Sequence, residues 1–287
     1  MDFELRTRYW GDHKSKAAFK RFILDIHGLD FAAWDDAGFW DEAFTPFSFF
    51  DGGELVANVC VYLLDAIIEG RATKLGQISS VGTSPELRRR GLNRRLTDIA
   101  LDWAKHRQEG IFLFSDAEAT PFYERCGFEP LDEFIEETPA SATNLRPGVR
   151  KLDPGKAEDL AKIHGYANRR APISDRFSIW NPQLTMFHVQ YFLGNLIHEI
   201  PDLNCLVAFR RSEGRLGVFD IVAKSIPKWN ELYPFIADPG DRTIEFHFHT
   251  DRLEVEGVQA KPLRDNLLFA LGVFPVKKPV FPYTSRA

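Results

Sequence analysis

Cysteine is scarce in this sequence: the three residues Cys60, Cys126 and Cys205 are scattered and odd in number. That excludes a disulfide framework, and no Cys-x-x-Cys pair exists to hold zinc or run redox chemistry. A reducing compartment, the cytoplasm, is the simplest expectation. Long hydrophobic runs are also missing. Spanning a bilayer takes ~18 apolar residues, whereas the stretch from Val59 to Leu64 stops at Asp65. No membrane partner is expected. The opening Met-Asp-Phe-Glu-Leu-Arg lacks the basic start and apolar block of a signal peptide, so none is expected either. Positive charge is not in excess. A net charge of −5 argues against a general nucleic-acid binder. There is no Gly-x-x-x-x-Gly-Lys loop, no Gly-x-Gly-x-x-Gly, no Gly-x-Ser-x-Gly and no His-Glu-x-x-His.

What remains is an ordinary globular balance, with 44% hydrophobic and 27% charged residues, which rules out extended disorder. The 25 phenylalanines point to well-filled cores. At about 150 residues per domain, 287 residues suggest two domains. A chain of this length buries roughly three quarters of its unfolded surface and needs no metal or disulfide staple.

The segment up to Trp40 reads as helices, since Ala18, Phe19, Phe22, Ile23 and Ile26 recur at helical spacing and Gly28 offers a stop. Strands follow. Phe47 to Phe50 and Leu55 to Asp65 flank the hairpin turn Asp51-Gly52-Gly53, and Glu69-Gly70 turns the chain into a third strand, Ala72 to Gly82. Leu92, Leu96, Ile99, Ala100 and Trp103 then form one face of a helix, with Gly110 as its C-terminal cap. Ile111 to Phe114 is a short strand covered on both faces. Ala119 to Cys126 is a short helix ended by Gly127, and Phe128 to Glu137 returns as a strand.

Residues 139–148 are rich in Pro, Ser, Thr and Ala and read as a linker between domains at 1–138 and 149–287. Beyond it, helices from Pro154, at Thr185 to Leu196 and at Pro227 to Ile236 alternate with strands. The strands are Val149 to Leu152, Cys205 to Arg210, Leu216 to Ala223, Thr243 to His249 and Glu254 to Ala260. The order of elements resembles the first half, as a diverged duplicate would.

The stretch from Gln77 to Asn93 carries the chemistry. A β-like run passes through Ser84-Pro85-Glu86 into Arg88-Arg89-Arg90-Gly91-Leu92-Asn93, which opens an amphipathic helix. A helix start presents unpaired N–H groups and partial positive charge, which suit phosphate. Gly91 lets a ligand approach the backbone. Arg88, Arg89, Arg90, Arg94 and Arg95 add rigid forks of donors. An arginine run at a helix start is also an ordinary solvated face. It is electrostatically misplaced there, which favours a bound anion such as a nucleotide pyrophosphate.

Arg88-x-x-Gly91-x-Asn93 resembles the signature of the GNAT superfamily of acetyl-CoA-dependent N-acetyltransferases, Gln/Arg-x-x-Gly-x-Gly/Ala. Val81-Gly82-Thr83-Ser84-Pro85-Glu86 resembles the strand and bend that lead into it. Further on, Phe122-Tyr123-Glu124-Arg125-Cys126-Gly127-Phe128 resembles the family's second hallmark. The resemblance covers roughly residues 1–138. It implies an α+β fold, a central mixed and splayed sheet flanked by helices, followed by a second, smaller αβ domain that lacks the cofactor motif. It implies acetyl-CoA as cosubstrate, with no metal. The pantetheine arm would pair beside Val81, Gly82 and Thr83, the amides from Arg89 to Arg94, Leu92 and Asn93 among them, would hold the pyrophosphate, and Asp116 would stand near the cofactor. Tyr123 matches the tyrosine that protonates the departing thiolate, and a phenol with reference pKa ~10 is a neutral donor at pH 7. Asn93 departs from the usual Gly or Ala; its side chain either crowds the pyrophosphate or bonds to it.

The resemblance implies direct acetyl transfer to an amine of a small molecule or peptide. Glu54, Asp65, Asp116 and Glu118 are all open as the base, and the sequence singles out none. A non-catalytic acetyl-CoA sensor or scaffold is the alternative. The second domain is expected to wall off the acceptor pocket or to form a homo-oligomer contact. Its aromatics Phe177, Trp180, Phe187, Trp229 and Tyr233 either shape that pocket or are core. His247 and His249 alternate and would share a strand face, read as half-exposed rather than metal-binding. The acidic stretch Glu129 to Glu137 reads as a solvated strand edge. Cys126 has no His neighbour in sequence and is not read as a nucleophile.

Overall fold

Asp12 starts the first helix by accepting from the Lys14 and Ser15 amides at 3.0 and 3.3 Å, and Gly28, left-handed at φ 67°, ends it. Between these caps Ala18, Phe19, Phe22 and Ile23 are buried. The computed structural model describes residues 3–263 and 267–287. Met1 and Asp2, which open the stretch read for a leader, lie outside the described residues, as do 264–266.

In chain order the first part runs β1 (Glu4–Thr7), α1 (His13–His27), α2 (Ala32–Asp36), β2 (Phe44–Asp51), β3 (Glu54–Ile68) and β4 (Arg71–Thr83). Then come α3 (Leu92–Ala104), β5 (Gly110–Phe114), α4 (Thr120–Arg125), β6 (Phe128–Pro130) and β7 (Phe134–Pro139). The remainder runs β8 (Arg150–Lys151), α5 (Ala157–Ala167), β9 (Phe177–Trp180), α6 (Pro182–Tyr191), β10 (Ile197–Ile200), β11 (Cys205–Ser212) and β12 (Arg215–Ala223). It closes with α7 (Trp229–Ile236), β13 (Thr243–Phe246), β14 (Gln259–Pro262) and β15 (Leu268–Leu271).

Two mixed sheets result. One has the order β1-β2-β3-β4-β5-β15-β6, with β9 also pairing β3; the other has the order β14-β7-β13-β12-β11-β10-β8. The fold is mixed α and β in two sheet-centred halves. Strand membership does not follow the chain. β7 carries residues 134–139 into the second sheet, while β9 and β15 return to the first. β3 is nearly continuous in apolar residues because both its faces are covered. Cys60, Tyr62 and Leu64 pack into the core under α1, α2 and α6, whereas Val59 and Val61 pack into the core under α3. A third core lies between the second sheet and α7, around Val218, Trp229 and Phe246.

Several expectations change. Residues 4–7 form a strand rather than part of a helical segment, paired with Phe47 to Phe50. Four residues with two exposed leave no periodic signal. Gly110 opens β5 and does not cap α3, which ends at Ala104 with Lys105 following. The single strand expected from Phe128 to Glu137 is two strands in different sheets, broken at 131–133. Its acids are only partly the solvated edge expected: Glu129 and Asp132 are exposed, whereas Glu133, Glu136 and Glu137 are buried. Each meets a distant partner, Arg286 for Glu133, Thr250 at 2.7 Å for Glu136, and Arg215 at 3.3 Å for Glu137. His247 and His249 lie beyond the end of β13. Instead of sharing a half-exposed face, His249 is buried with Nδ1 2.7 Å from Glu136 Oε1, and His247 packs on the Phe219 ring.

Candidate active site

β4 and β5 run parallel but pair only at Leu75–Gly110, Gly76–Ile111 and Gln77–Phe112. Beyond Gln77 they separate. β5 turns its other edge to β15, with Leu113 opposite Phe269 and Phe114 opposite Leu268. Among the described residues no strand pairs the freed edge of β4, so residues 78–83 offer backbone groups along one side.

At the same place β4 carries a bulge. Asn58 pairs Gly82 and Cys60 pairs Ser79, so Ser80 and Val81 together oppose Val59. Ser80 takes φ 51°, a left-handed conformation that costs a non-glycine residue roughly 1 kcal/mol or more. A buried polar chain holds it there. Asn58 Nδ2 donates to the Ser80 carbonyl at 2.8 Å, Ser48 donates to Asn58 Oδ1 at 2.7 Å, and Tyr9 meets Ser48 at 2.7 Å. Gly82 is needed next to the bulge because α1 crosses it closely: an added Cβ would lie 3.0 Å from Ile26 Cγ2.

The chain then enters α3 through a tight turn. Arg89 at φ 62° and Gly91 at φ 75° are both left-handed, and Gly91 leads straight into the first turn of α3, whose leading amides have no intrahelical acceptor. Among the described residues, its chain neighbours aside, nothing lies within 4 Å of a Cβ built on Gly91, so that face is open. Thr83 donates to Asn93 Oδ1 at 2.7 Å, which ties the first turn of α3 to the end of β4. The Asn93 side chain is thereby held at β4.

Two hollows open on either side of the bulge. The first is a cleft of about 610 Å³. Val81, Gly82, Thr83, Arg88, Arg89, Gly91, Leu92, Asn93 and Arg94 line it, all residues singled out from the sequence. Ile26, Leu87, Phe122 and Arg125 also line it; the first comes from α1 and the last two from α4. Arg94 is held in place by Asp98 at 3.0 Å and by the carbonyl of Arg125. Arg90 is exposed and lies outside the lining.

Asp116 is exposed and accepts from the Ala119 amide at 2.7 Å, which starts α4. Tyr123, on the buried face of α4, packs edge-on to Phe128. It is not among the residues that line the cleft. Burial raises its phenol pKa, and the nearby Asp116 charge raises it further, so the hydroxyl keeps its proton. Burial likewise pushes up the Cys126 thiol, which disfavours a thiolate there.

The second hollow is an apolar cavity of about 150 Å³. Phe31, Trp34, Phe44 and Tyr62 supply aromatic walls from the first half, and Leu184 and Phe187 of α6 close it from the second. Of the five aromatics considered from the sequence, Phe187 lines this cavity; Phe177, Trp229 and Tyr233 are core, and Trp180 is half-buried. α6 is fixed there by Trp34 Nε1 donating to the Gln183 carbonyl at 2.8 Å. Ser79 and Ser80 reach the cavity immediately before Val81 reaches the cleft, so the bulge is the junction of the two. His27 stands at the cavity with an exposed edge. Its surroundings lower its pKa through desolvation, partly offset by Asp116. The sequence alone carries no signal for His27 or the cavity, whose walls come from positions as far apart as Ile23, Tyr62, Phe187 and Ala287.

Residues 5–128 match the acetyltransferase (GNAT) family model. No curated protein matches the chain in sequence. Among solved structures, the chain resembles a conserved protein of unknown function from Enterococcus faecalis, with 13% identity, TM-score 0.59, and coverage of 94% of this chain and 72% of that one. It resembles a GCN5-related N-acetyltransferase from Anabaena variabilis at 14% identity and TM-score 0.56, covering 93% and 72%. It also resembles Eis1 from Mycobacterium abscessus at 17% identity and TM-score 0.55, covering 93% and 73%. These likenesses extend the shared fold over nearly the whole chain, second sheet included. Residues 5–128 are a domain of the acetyltransferase (GNAT) family, and the protein is an acyltransferase.

Proposed function

We propose that the protein is an N-acetyltransferase that moves an acetyl group from acetyl-CoA to an amine by direct transfer. The observation that carries this reading is the parting of β4 and β5 beyond Gln77 with the open Gly91 turn at its end. An acyl-CoA fits these residues. The freed edge at Val81 to Thr83 suits the amide-bearing pantetheine arm. The amides from Arg89 to Arg94 at the start of α3, with the Arg88, Arg89 and Arg94 side chains, suit a diphosphate. When bound, acetyl-CoA supplies the thioester carbonyl.

The chain's own groups handle the protons. An ammonium has no lone pair, so the amine must lose a proton before its nitrogen bonds to carbon. His27 is a group at the cavity suited to take it, because its imidazole, with a pKa lowered by desolvation, is neutral at pH 7; the terminal carboxylate of Ala287 lines the same cavity. Tyr123 Oη, protonated at pH 7, is the donor to the sulfur as the carbon–sulfur bond breaks; its raised pKa makes it a weaker acid, and it must reach the cleft from the buried face of α4 to act. The bulge at Ser80 and Val81 joins the amine side to the thioester side. The test is thiol release from acetyl-CoA in the presence of an amine panel. Amine-dependent release with acetylated product supports the reading. Saturable CoA binding with no acetylated product from any amine overturns it in favour of a sensor or scaffold.

A further inference from the structure

We infer that the acceptor is a monoamine bearing one compact, uncharged, ring-sized apolar group, seated in the cavity beside Ser79. This rests on the acetyl-transfer reading above. The first observation is size. About 150 Å³ is the volume that holds a single benzene-like ring. The second is charge. Among the described residues no Asp or Glu side chain lines the cavity, and the one acidic group its lining offers is the terminal carboxylate of Ala287, which matches one ammonium and leaves a second one buried there without an acidic partner. That disfavours polyamines and aminoglycosides. Trp34, Phe44 and Tyr62 present ring faces and edges that suit an aromatic group and tolerate one cation.

The third observation is independent of the first two. Ser79 lines the cavity, is about nine-tenths buried, and its Oγ has no hydrogen-bond partner. A buried hydroxyl without a partner is costly and calls for one from a ligand. An amine nitrogen at Ser79 would sit next to the bulge, where Ser80 gives way to Val81 and the thioester side begins. Its ring would then point away from the bulge, toward Trp34 and Phe187.

The experiment compares kcat/KM of the full chain for 2-phenylethylamine, methylamine, spermidine and kanamycin, with calorimetric Kd for coenzyme A measured alongside. 2-Phenylethylamine is expected to lead the others by about tenfold or more, the scale on which a pocket distinguishes apolar groups. Leu29→Trp, which narrows the cavity, should cut the 2-phenylethylamine value about tenfold and leave methylamine and coenzyme A within about twofold. Phe187→Leu, which widens it, should shift preference toward a naphthyl amine and guards against a misfolded first variant. Preference for spermidine or kanamycin overturns the acceptor class while acetyl transfer stands. Equal loss for methylamine and 2-phenylethylamine in Leu29→Trp also overturns it. Coenzyme A binding without acetylation of any amine overturns the acetyl-transfer reading and this inference with it.

Discussion

Asn58 donates its side-chain amide to the carbonyl oxygen of Ser80 at 2.8 Å, and this bond fixes the backbone where the apolar cavity gives way to the cleft. Asn58 is wholly buried in β3. Its other contacts, to Ser48 and through Ser48 to Tyr9, run inward to the core beneath α1. The strained Ser80 is therefore held from behind.

Asn58→Leu keeps the volume but leaves the Ser80 carbonyl without its Asn58 donor and the Ser48 hydroxyl with Tyr9 alone. The expected loss of stability is about 1–3 kcal/mol, read by urea unfolding. Acetyl transfer should fall by more than coenzyme A binding does, since the bulge relaxes while the Gly91 turn stays. Unchanged turnover would show that the bulge needs no such support.

Gly91→Val tests the turn. A β-branched residue at φ 75° costs about 1–2 kcal/mol. Among the described residues, its chain neighbours aside, nothing meets the new Cβ, so the loss should appear where a ligand approaches. Calorimetry should give a Kd for acetyl-CoA raised about tenfold or more, which is 1.4 kcal/mol. A Kd equal to the wild type would exclude this turn as the anion site.

Tyr123→Phe removes the donor and leaves the packing against Phe128 in place. The expected result is a kcat lower by about 10²-fold with coenzyme A binding nearly unchanged. An unaltered kcat would assign the proton on sulfur to another group.

How much of this could be read from the sequence follows from how local each signal is. The Arg88-to-Asn93 turn, both glycine hairpins and α1 with its Asp12 and Gly28 caps are carried by neighbours in sequence, and they were legible. Phe122 and Arg125 of the second motif reach the cleft, although Tyr123 itself lies on the buried side of α4. The cavity was not legible, because Trp34, Tyr62 and Phe187 meet only after α6 docks. The same holds for Glu136, read as exposed because its partners His249 and Thr250 lie more than a hundred residues away. β15 is four residues long and enters the first sheet between two strands it is remote from in sequence.

His27 gives a pH test of turnover. Desolvation lowers its pKa below the ordinary 6.5, so the neutral, proton-accepting form persists to more acidic pH. The acid limb of the kcat profile should therefore fall below pH 6.5 rather than above it. His27→Gln should lower kcat and remove that limb. A limb that survives the substitution belongs to a different base.

His188 gives a pH test of stability. Burial holds its imidazole at about 4, against an ordinary 6.5. The unfolded chain takes up the extra proton first on acidification, so this contribution is complete above 6.5 and is lost as pH falls toward 4. The loss is roughly 3 kcal/mol at full extent. His247, also held at about 4, acts in the same window. The urea midpoint should drop between pH 7 and pH 5, and His188→Gln should flatten that drop. A midpoint independent of pH over this range would contradict the buried, neutral state of both rings.

The most direct measurement is a crystal structure of the full chain grown with coenzyme A. The account predicts density for the pantetheine arm beside Val81 to Thr83 and for the diphosphate against the amides from Arg89 to Arg94. Coenzyme A bound elsewhere, or a filled and closed gap between β4 and β5 at saturating ligand, would contradict it.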